Sequence, residues 1–453
     1  MIGQALALPG ELTPEMFGAA GDGSTNDSAA FAALAARVNA DGGGTIRMRQ
    51  TTYIVGEQRP TFPRRAAHSF EALALLQFKG CRQPLVIKGN GARLRCAPGL
   101  RYGTFDPRSG EPTKHPMPYL GQGEVATPYD YMIKAEECSG PVIISDLELD
   151  GGLDQLQLGG TYGDTGWQIP AVGIYLVRNS GDEILSNLSL HHHAQDGLMI
   201  SGLSDPGLAA RVKRQLTDVR CEYNGRQGCS LIGGRGYQFR NCAFNHTARG
   251  RITSAPAAGL DIETEGEPNR AHSFLDCEFV DNQGCGMVAD SGDSAGATFR
   301  RCRFVGTVNW SAWPNKPLFR FHDCTFLGSI VRCFSDPDPE RATQFHDCRF
   351  TDNPRLSPNG LVYRQDRPDG SLADLSDSEN VLFNRCSFLA EHGSVLPWST
   401  RAIYKDCVMR QTTKSPGYPR GTFVGRSSIV GNVDLYNSRI VGELSLNGRM
   451  VAH

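Results

Sequence analysis

Three things that would point to a partner or a compartment are scarce in this chain. The first is charge of one sign. Its 46 basic and 48 acidic side chains leave a formal net charge of −2, so there is no basic field to draw in a nucleic acid or an anionic membrane. The second is a long apolar run. No window approaches about 18 uninterrupted apolar residues, the length a spanning helix needs. The opening MIGQALALPGEL also has neither the basic nor the apolar stretch of a secretory leader, so no export signal is expected there. The third is paired cysteine spacing. The chain has 14 cysteines, but they do not fall in pairs.

What is there instead is a repeat. Eight cysteines recur as Cys-x-aromatic or a near equivalent: Cys221, Cys242, Cys277, Cys302, Cys324, Cys348, Cys386 and Cys407, spaced by 21, 35, 25, 22, 24, 38 and 21 residues. A period of about 20 to 40 residues marks stacked structural units, each burying its apolar face against its neighbours. In RRCRFVG and FHDCTFLG the apolar residues alternate, with Arg303 or Thr325 between them pointing outward, which is the period of a strand. Cysteine over cysteine and phenylalanine over phenylalanine then form interior ladders, in which free cysteine serves as a small hydrophobe. Disulfides are not expected, because a single-file ladder does not supply their geometry.

A second ladder begins each time with glycine, at Gly173, Gly197, Gly228, Gly259 and Gly286. Glycine there marks the bend between two strands of a coil, where a positive φ or a close turn is needed. Alternation sends Ile174, Leu198, Cys229, Leu260 and Met287 inward. It sends Tyr175, Met199, Ser230, Asp261 and Val288 outward as one column, and Val177, Ser201, Ile232, Glu263 and Asp290 as a second.

The opening TPEMFGAAGDGSTNDSAAFAALAARVNADGGGTIRMRQTTYIVG, residues 13–56, resembles the N-terminal segment of the pectate-lyase superfamily of right-handed parallel β-helices, which includes bacterial polysaccharide-degrading enzymes and phage tailspikes. Its local chemistry agrees. GDGSTND is turn-rich, Asn26 or Asp27 can cap a helix over about 27–40, and GGG at 42–44 breaks it before TIRMR. Phe31, Leu34 and Val38 on one side of that helix would plug the end of the solenoid. The expected fold is therefore all-β: a right-handed parallel β-helix with an N-terminal capping helix, a single domain over 1–453, with stacked coils over about 70–450 and long loops at 99–130 and 152–172. Neither the NTD, DD, GHG and RIK series of polygalacturonases nor the DPHD of mannuronan epimerases is present. The run HHH at 191–193 lacks metal-ligand spacing and reads as a turn, with His191 outward.

Function is read from GLDIETEGEPN. Asp261 and Glu263 share one strand face, and Asp290 is expected one coil beyond Glu263. Like charges that interrupt otherwise apolar or small columns raise at least one carboxyl pKa, as a general acid requires. Asp261 as base and Glu263 as acid, about 6.5 Å apart, would suit an inverting glycoside hydrolase. Glu263 with Asp290, roughly 5 Å apart, would suit a retaining one. Substrate contacts are expected from Trp167, Tyr175, Trp310 and Trp313 by ring stacking, and from His193, Arg249, Arg251 and Glu265 around the acidic strand. The alternatives are a uronate-cleaving lyase, with the acids on Ca²⁺ and Arg251 or His193 as base, or a non-catalytic glycan-binding spike. No cofactor is expected for the hydrolase. The implied partner is a polysaccharide, not a nucleic acid or a membrane. The implied setting is extracellular, periplasmic or a phage virion, as a monomer or a homotrimer.

Overall fold

The structure is a computed structural model that describes residues 10–61, 70–106, 108–114, 125–161, 169–364, 370–376 and 378–451. Two compact units account for it: residues 1–226 with 250–254, and residues 227–249 with 255–453. Both are built from parallel coils of a β-helix, as the resemblance implied.

In the first unit the helix Ser28–Asp41 buries Phe31, Leu34 and Val38, and ends at Gly42 in the left-handed region. Its Phe31 ring meets Tyr53 edge-on at 5.2 Å, so the helix closes the first coil. The strands Leu85–Cys96, Val142–Asp150, Glu183–His191 and Arg214–Glu222 then stack in parallel register. Tyr53, Leu94, Leu149, Leu190 and Cys221 form one inward ladder. Phe78, Ala135, Leu176 and Ile200 form another on the strands Leu76–Lys79, Tyr131–Glu136, Val172–Val177 and Asp196–Ser201.

The second unit is more regular. Phe239, Phe274, Phe299, Phe321, Phe345, Phe383, Tyr404 and Phe423 stack face to face at 4.6 to 5.4 Å. Phe244, Phe279, Phe304, Phe326, Phe350 and Phe388 stack beside them at 4.6 to 5.5 Å. Burying each ring contributes about 1.5–3 kcal/mol, and each pair adds about 0.5–1.5 kcal/mol. All 14 cysteines are free and buried, as the ladder required. The spacing of seven ladder cysteines, Cys242 to Cys407, has a further cause in the corner that precedes each of them. Asn241, Asp276, Arg301, Asp323, Asp347, Arg385 and Asp406, each immediately before a ladder cysteine, have φ of 51 to 57°. The chain turns there, and the following thiol donates to a carbonyl one coil back, as Cys302 does to Phe274 (3.5 Å) and Cys407 to Phe383 (3.3 Å). A small side chain with a weak donor suits that corner. The last strands, Glu443–Leu446 and Arg449–Met450, pair antiparallel and so end the parallel stack with a hairpin.

The glycine ladder is explained by close approach rather than by left-handed bends. A Cβ at Gly173 would lie 2.5 Å from the Gly197 carbonyl, and one at Gly259 would lie 2.7 Å from the Gly286 carbonyl and 2.6 Å from that of Phe244. Successive coils run too near one another there for any side chain. Among the described residues, no helix is long and apolar enough to cross a membrane.

Candidate functional site

The outward column that contains Tyr175 begins earlier than the sequence reading placed it. In the first unit Gln77, Lys134, Tyr175 and Met199 lie in register, with Lys79, Glu136, Val177 and Ser201 two residues further along. The Lys134 ammonium stands 5.4 Å from the Tyr131 ring centroid and 5.9 Å from that of Tyr175, and the two rings tilt together at 5.0 Å. Lys134 is also paired with Glu136 at 2.8 Å, and Lys79 reaches the same carboxylate at 3.1 Å. Those hydrogen bonds, Lys134 first, hold Glu136 below its ordinary pKa. Asp130, just before this strand, behaves oppositely: burial pushes its carboxyl up, against the weaker pull of Lys134. Burial likewise pushes the Tyr131 phenol up to about 12. One short stretch, YDYMIKAE, thus holds a carboxyl whose pKa is raised, another whose pKa is lowered, a cation, the half-buried ring of Tyr131 and the fully buried ring of Tyr129.

A second ionisable patch lies on another face of the same unit. Arg95, Asp150, His191 and Glu222 are in register on four successive coils. His191 Nε2 lies 2.9 Å from Glu148, which Arg93 also engages. Burial raises the Glu148 pKa, but the hydrogen bonds from Arg93 and then His191 outweigh it and hold the group ionised. His191 Nδ1 faces His192 Nδ1 at 2.8 Å. His192 has φ of 56°, so the chain turns there and two consecutive imidazoles, which a strand would send to opposite faces, come together. His192 stacks on Tyr223 at 5.3 Å, and burial lowers its pKa. Beside the pair is a cavity of about 200 Å³ lined by Arg95, Asp150, Asp154, His191 and His192, among others. The histidine run therefore does join a cluster, which its spacing hid because Asp150 arrives from the preceding coil.

The residues singled out in the sequence are distributed as follows. Asp261, Glu263 and Asp290 do come near one another. Asp261 and Asp290 both act electrostatically on Cys285, and Glu263 accepts from Ser291 at 3.0 Å. Asp261, however, is only 4% exposed and its carboxylate accepts from Gln227 at 2.7 Å. It is not open to an attacking water, which corrects its reading as the base. The reason is that its column is covered in this region: Trp310 and Trp313 pack on Ala258, Cys285 and Val288, with the two indoles edge to face at 5.4 Å. Both tryptophans are half-buried where they pack on the coil. His193 is fully buried, with Nδ1 2.8 Å from the Tyr129 hydroxyl, so it contacts no substrate as placed and does not serve as a lyase base. Arg251 is used to hold the loop at Asp154 and Leu156 by their carbonyls (2.9 and 3.0 Å). Arg249 is used by Asp281 and Gln283. Glu265 is exposed. Tyr175 is half-buried on the column described above. Trp167 lies outside the described residues. Tyr102, Phe105 and Tyr129 of the long loops are buried.

No family model matches the chain, and no curated protein matches it in sequence. Among solved structures, it is similar to the A-module of mannuronan C-5 epimerase AlgE4 from Azotobacter vinelandii at 14% identity and TM-score 0.43, covering 94% of this chain and 96% of that one. It is also similar to the tailspike protein gp49 of Pseudomonas phage LKA1 at 11% identity and TM-score 0.45, covering 96% and 78%. The exopolygalacturonase from Thermotoga maritima matches at 11% identity and TM-score 0.30, covering 98% and 94%.

Proposed function

We propose that this protein is a carbohydrate-active enzyme that cleaves a polysaccharide by hydrolysis, working on the outward face at Asp130, Lys134, Glu136 and Tyr175. The observation that carries this reading is a geometric one, the Lys134 ammonium 5.4 Å from the Tyr131 ring and 5.9 Å from the Tyr175 ring at the outward face, with the carboxyl of Asp130, raised by burial, just before the same strand. Glycoside hydrolysis needs a carboxyl that can donate a proton to the leaving oxygen, the part assigned to Asp130, and Glu136, six residues further along an extended strand and so beyond the about 5–9.5 Å of a catalytic pair, is assigned to substrate binding with Lys134. Tyr131 and Tyr175 offer ring surface to a sugar face, and Lys134 offers charge to an acidic sugar. The similar structures include proteins named for acting on mannuronan and polygalacturonate. An extracellular, periplasmic or phage-borne setting, as a monomer or homotrimer, would suit such a substrate.

Hydrolysis is preferred to β-elimination because the bases the latter would use are engaged: His193 is buried and Arg251 is spent on the loop carbonyls. A second hydrolase site at Glu263 and Asp290 retains support from one observation, that Asp290 is exposed and Glu263 half-buried. A panel of neutral and acidic glycans, with mass analysis of products and absorbance in the band of unsaturated uronates, tests the reading. Products heavier by one water per cleavage, without that absorbance, are expected. Cleavage with the absorbance, or no cleavage of any glycan, would count against it.

A further inference from the structure

We propose that Asp150, His191 and His192 form a binding site for a first-row divalent transition-metal ion. The inference is independent of the polysaccharide reading, because it rests on a different face of the first unit. One ligand atom from each residue can be chosen so that all three lie within 4.8 Å of one another. His191 Nδ1 is 2.8 Å from His192 Nδ1 and 3.8 Å from Asp150 Oδ1. An ion bound at about 2.0–2.2 Å by nitrogen and oxygen places neighbouring ligand atoms roughly 3 Å apart, so small rotations of the three side chains would bring them into range.

The surroundings are what a metal-binding histidine needs. A ligating imidazole is usually fixed by a hydrogen bond from its other ring nitrogen to a carboxylate. His191 has this in Glu148 at 2.9 Å, which orients Nε2–H away and leaves the Nδ1 lone pair facing the cluster. His192 has Asp154 Oδ2 3.9 Å from its Nε2. Without an ion, the proton between the two Nδ1 atoms belongs to His192. With one bound, that proton moves to Nε2 beside Asp154, and no net charge is lost from the ring. The remaining coordination positions open onto the cavity of about 200 Å³, room for water or a small oxygen ligand. Two imidazoles and one carboxylate favour zinc, nickel, cobalt or iron over calcium, which takes oxygen ligands alone. One group opposes the ion: Arg95 Nε is 3.6 Å from Asp150. Its side chain is 37% exposed, so it can swing into solvent when the ion enters.

The test uses the full chain stripped with chelator and titrated with Zn²⁺ by calorimetry and with Co²⁺ by visible absorption. One site is expected that gives a cobalt absorption band and is lost in both His191→Ala and Asp150→Asn. The asparagine keeps an Oδ1 for the Gly152 N–H that Asp150 now accepts at 3.0 Å, so this variant guards against a failure to fold. Glu148→Gln should weaken binding about 10–100-fold, and Arg95→Gln should tighten it by removing the competing charge. Millimolar Ca²⁺ should not displace the cobalt band. A wild-type chain that binds no ion, variants that bind as tightly as wild type, or displacement by Ca²⁺ would overturn the proposal.

Discussion

The two units solve the same problem with different degrees of regularity. In the second, the same side chain returns on coil after coil: two phenylalanine stacks and a cysteine at each corner, with Asp276–Arg301 and Asp347–Arg385 pairing across neighbouring corners (shortest contacts 2.7 and 2.6 Å). In the first, the inward ladders mix Tyr, Phe, Leu, Ile, Ala and Cys, with no long aromatic stack among the described residues, and the outward positions carry Lys134, Glu136, Asp150 and His191. A ladder of identical residues makes each coil interchangeable and contributes stability without distinguishing one level from the next. Chemistry needs the opposite, several unlike groups at one level, and the unlike groups are concentrated in the first unit.

The contrast can be strained by substitution. The largest effect is expected from Phe299→Ala, which removes a fully buried ring stacked 4.6 Å from Phe274 and 4.9 Å from Phe321. It should cost about 3–5 kcal/mol in urea unfolding, and a loss below about 1 kcal/mol would mean the stacks are ornamental. Gly259→Ala comes next, at about 1–3 kcal/mol, because its new methyl would press on three neighbouring atoms within 2.7 Å. Tyr175→Ala, on the irregular unit, should instead leave the unfolding midpoint nearly unchanged and weaken binding of the identified glycan. The expected binding loss is that of one aromatic contact, about 0.5–1.5 kcal/mol.

The smallest effect concerns acid. The arginine hydrogen bonds hold Asp276 and Asp347 below the ordinary carboxyl pKa. Their contribution is therefore present above the unfolded-state value and is lost as pH falls through the lowered folded-state value. These pairs are exposed and screened. The difference in urea midpoint between wild type and an Arg301→Ala, Arg385→Ala chain should be slight at about pH 6 and vanish toward about pH 2. A difference that grows with acid would reverse the assigned sign.

The regular unit was legible in the sequence because repetition is a sequence property. The spacing of Cys277, Cys302, Cys324 and Cys348 announced the coils, and alternation assigned Leu260 and Ile262 inward correctly. The left-handed corner was also written there, as Asn or Asp before most ladder cysteines, but its Arg members at 301 and 385 obscured the pattern. The candidate site was much less legible. Alternation says which way Asp261 points, not whether Trp310, Trp313 and Gln227 crowd that level. Asp150 and His192 are 42 positions apart in sequence, and only the coil return brings them together. YDYMIKAE has no repeat to draw attention to it, and its divergent carboxyls arise from Lys134 and burial, with Lys79 on another coil adding to the pull on Glu136.

The central claim is that turnover resides on the Asp130 face and not at Asp261. The most direct measurement is the turnover number of Asp130→Asn and Asp261→Asn on the cleaved glycan, with circular dichroism confirming that both are folded. The account predicts a loss of about 10²–10⁴-fold for Asp130→Asn, the usual contribution of general acid–base catalysis, and less than about tenfold for Asp261→Asn. The reverse order, with Asp130→Asn nearly fully active and Asp261→Asn inactive, would contradict it.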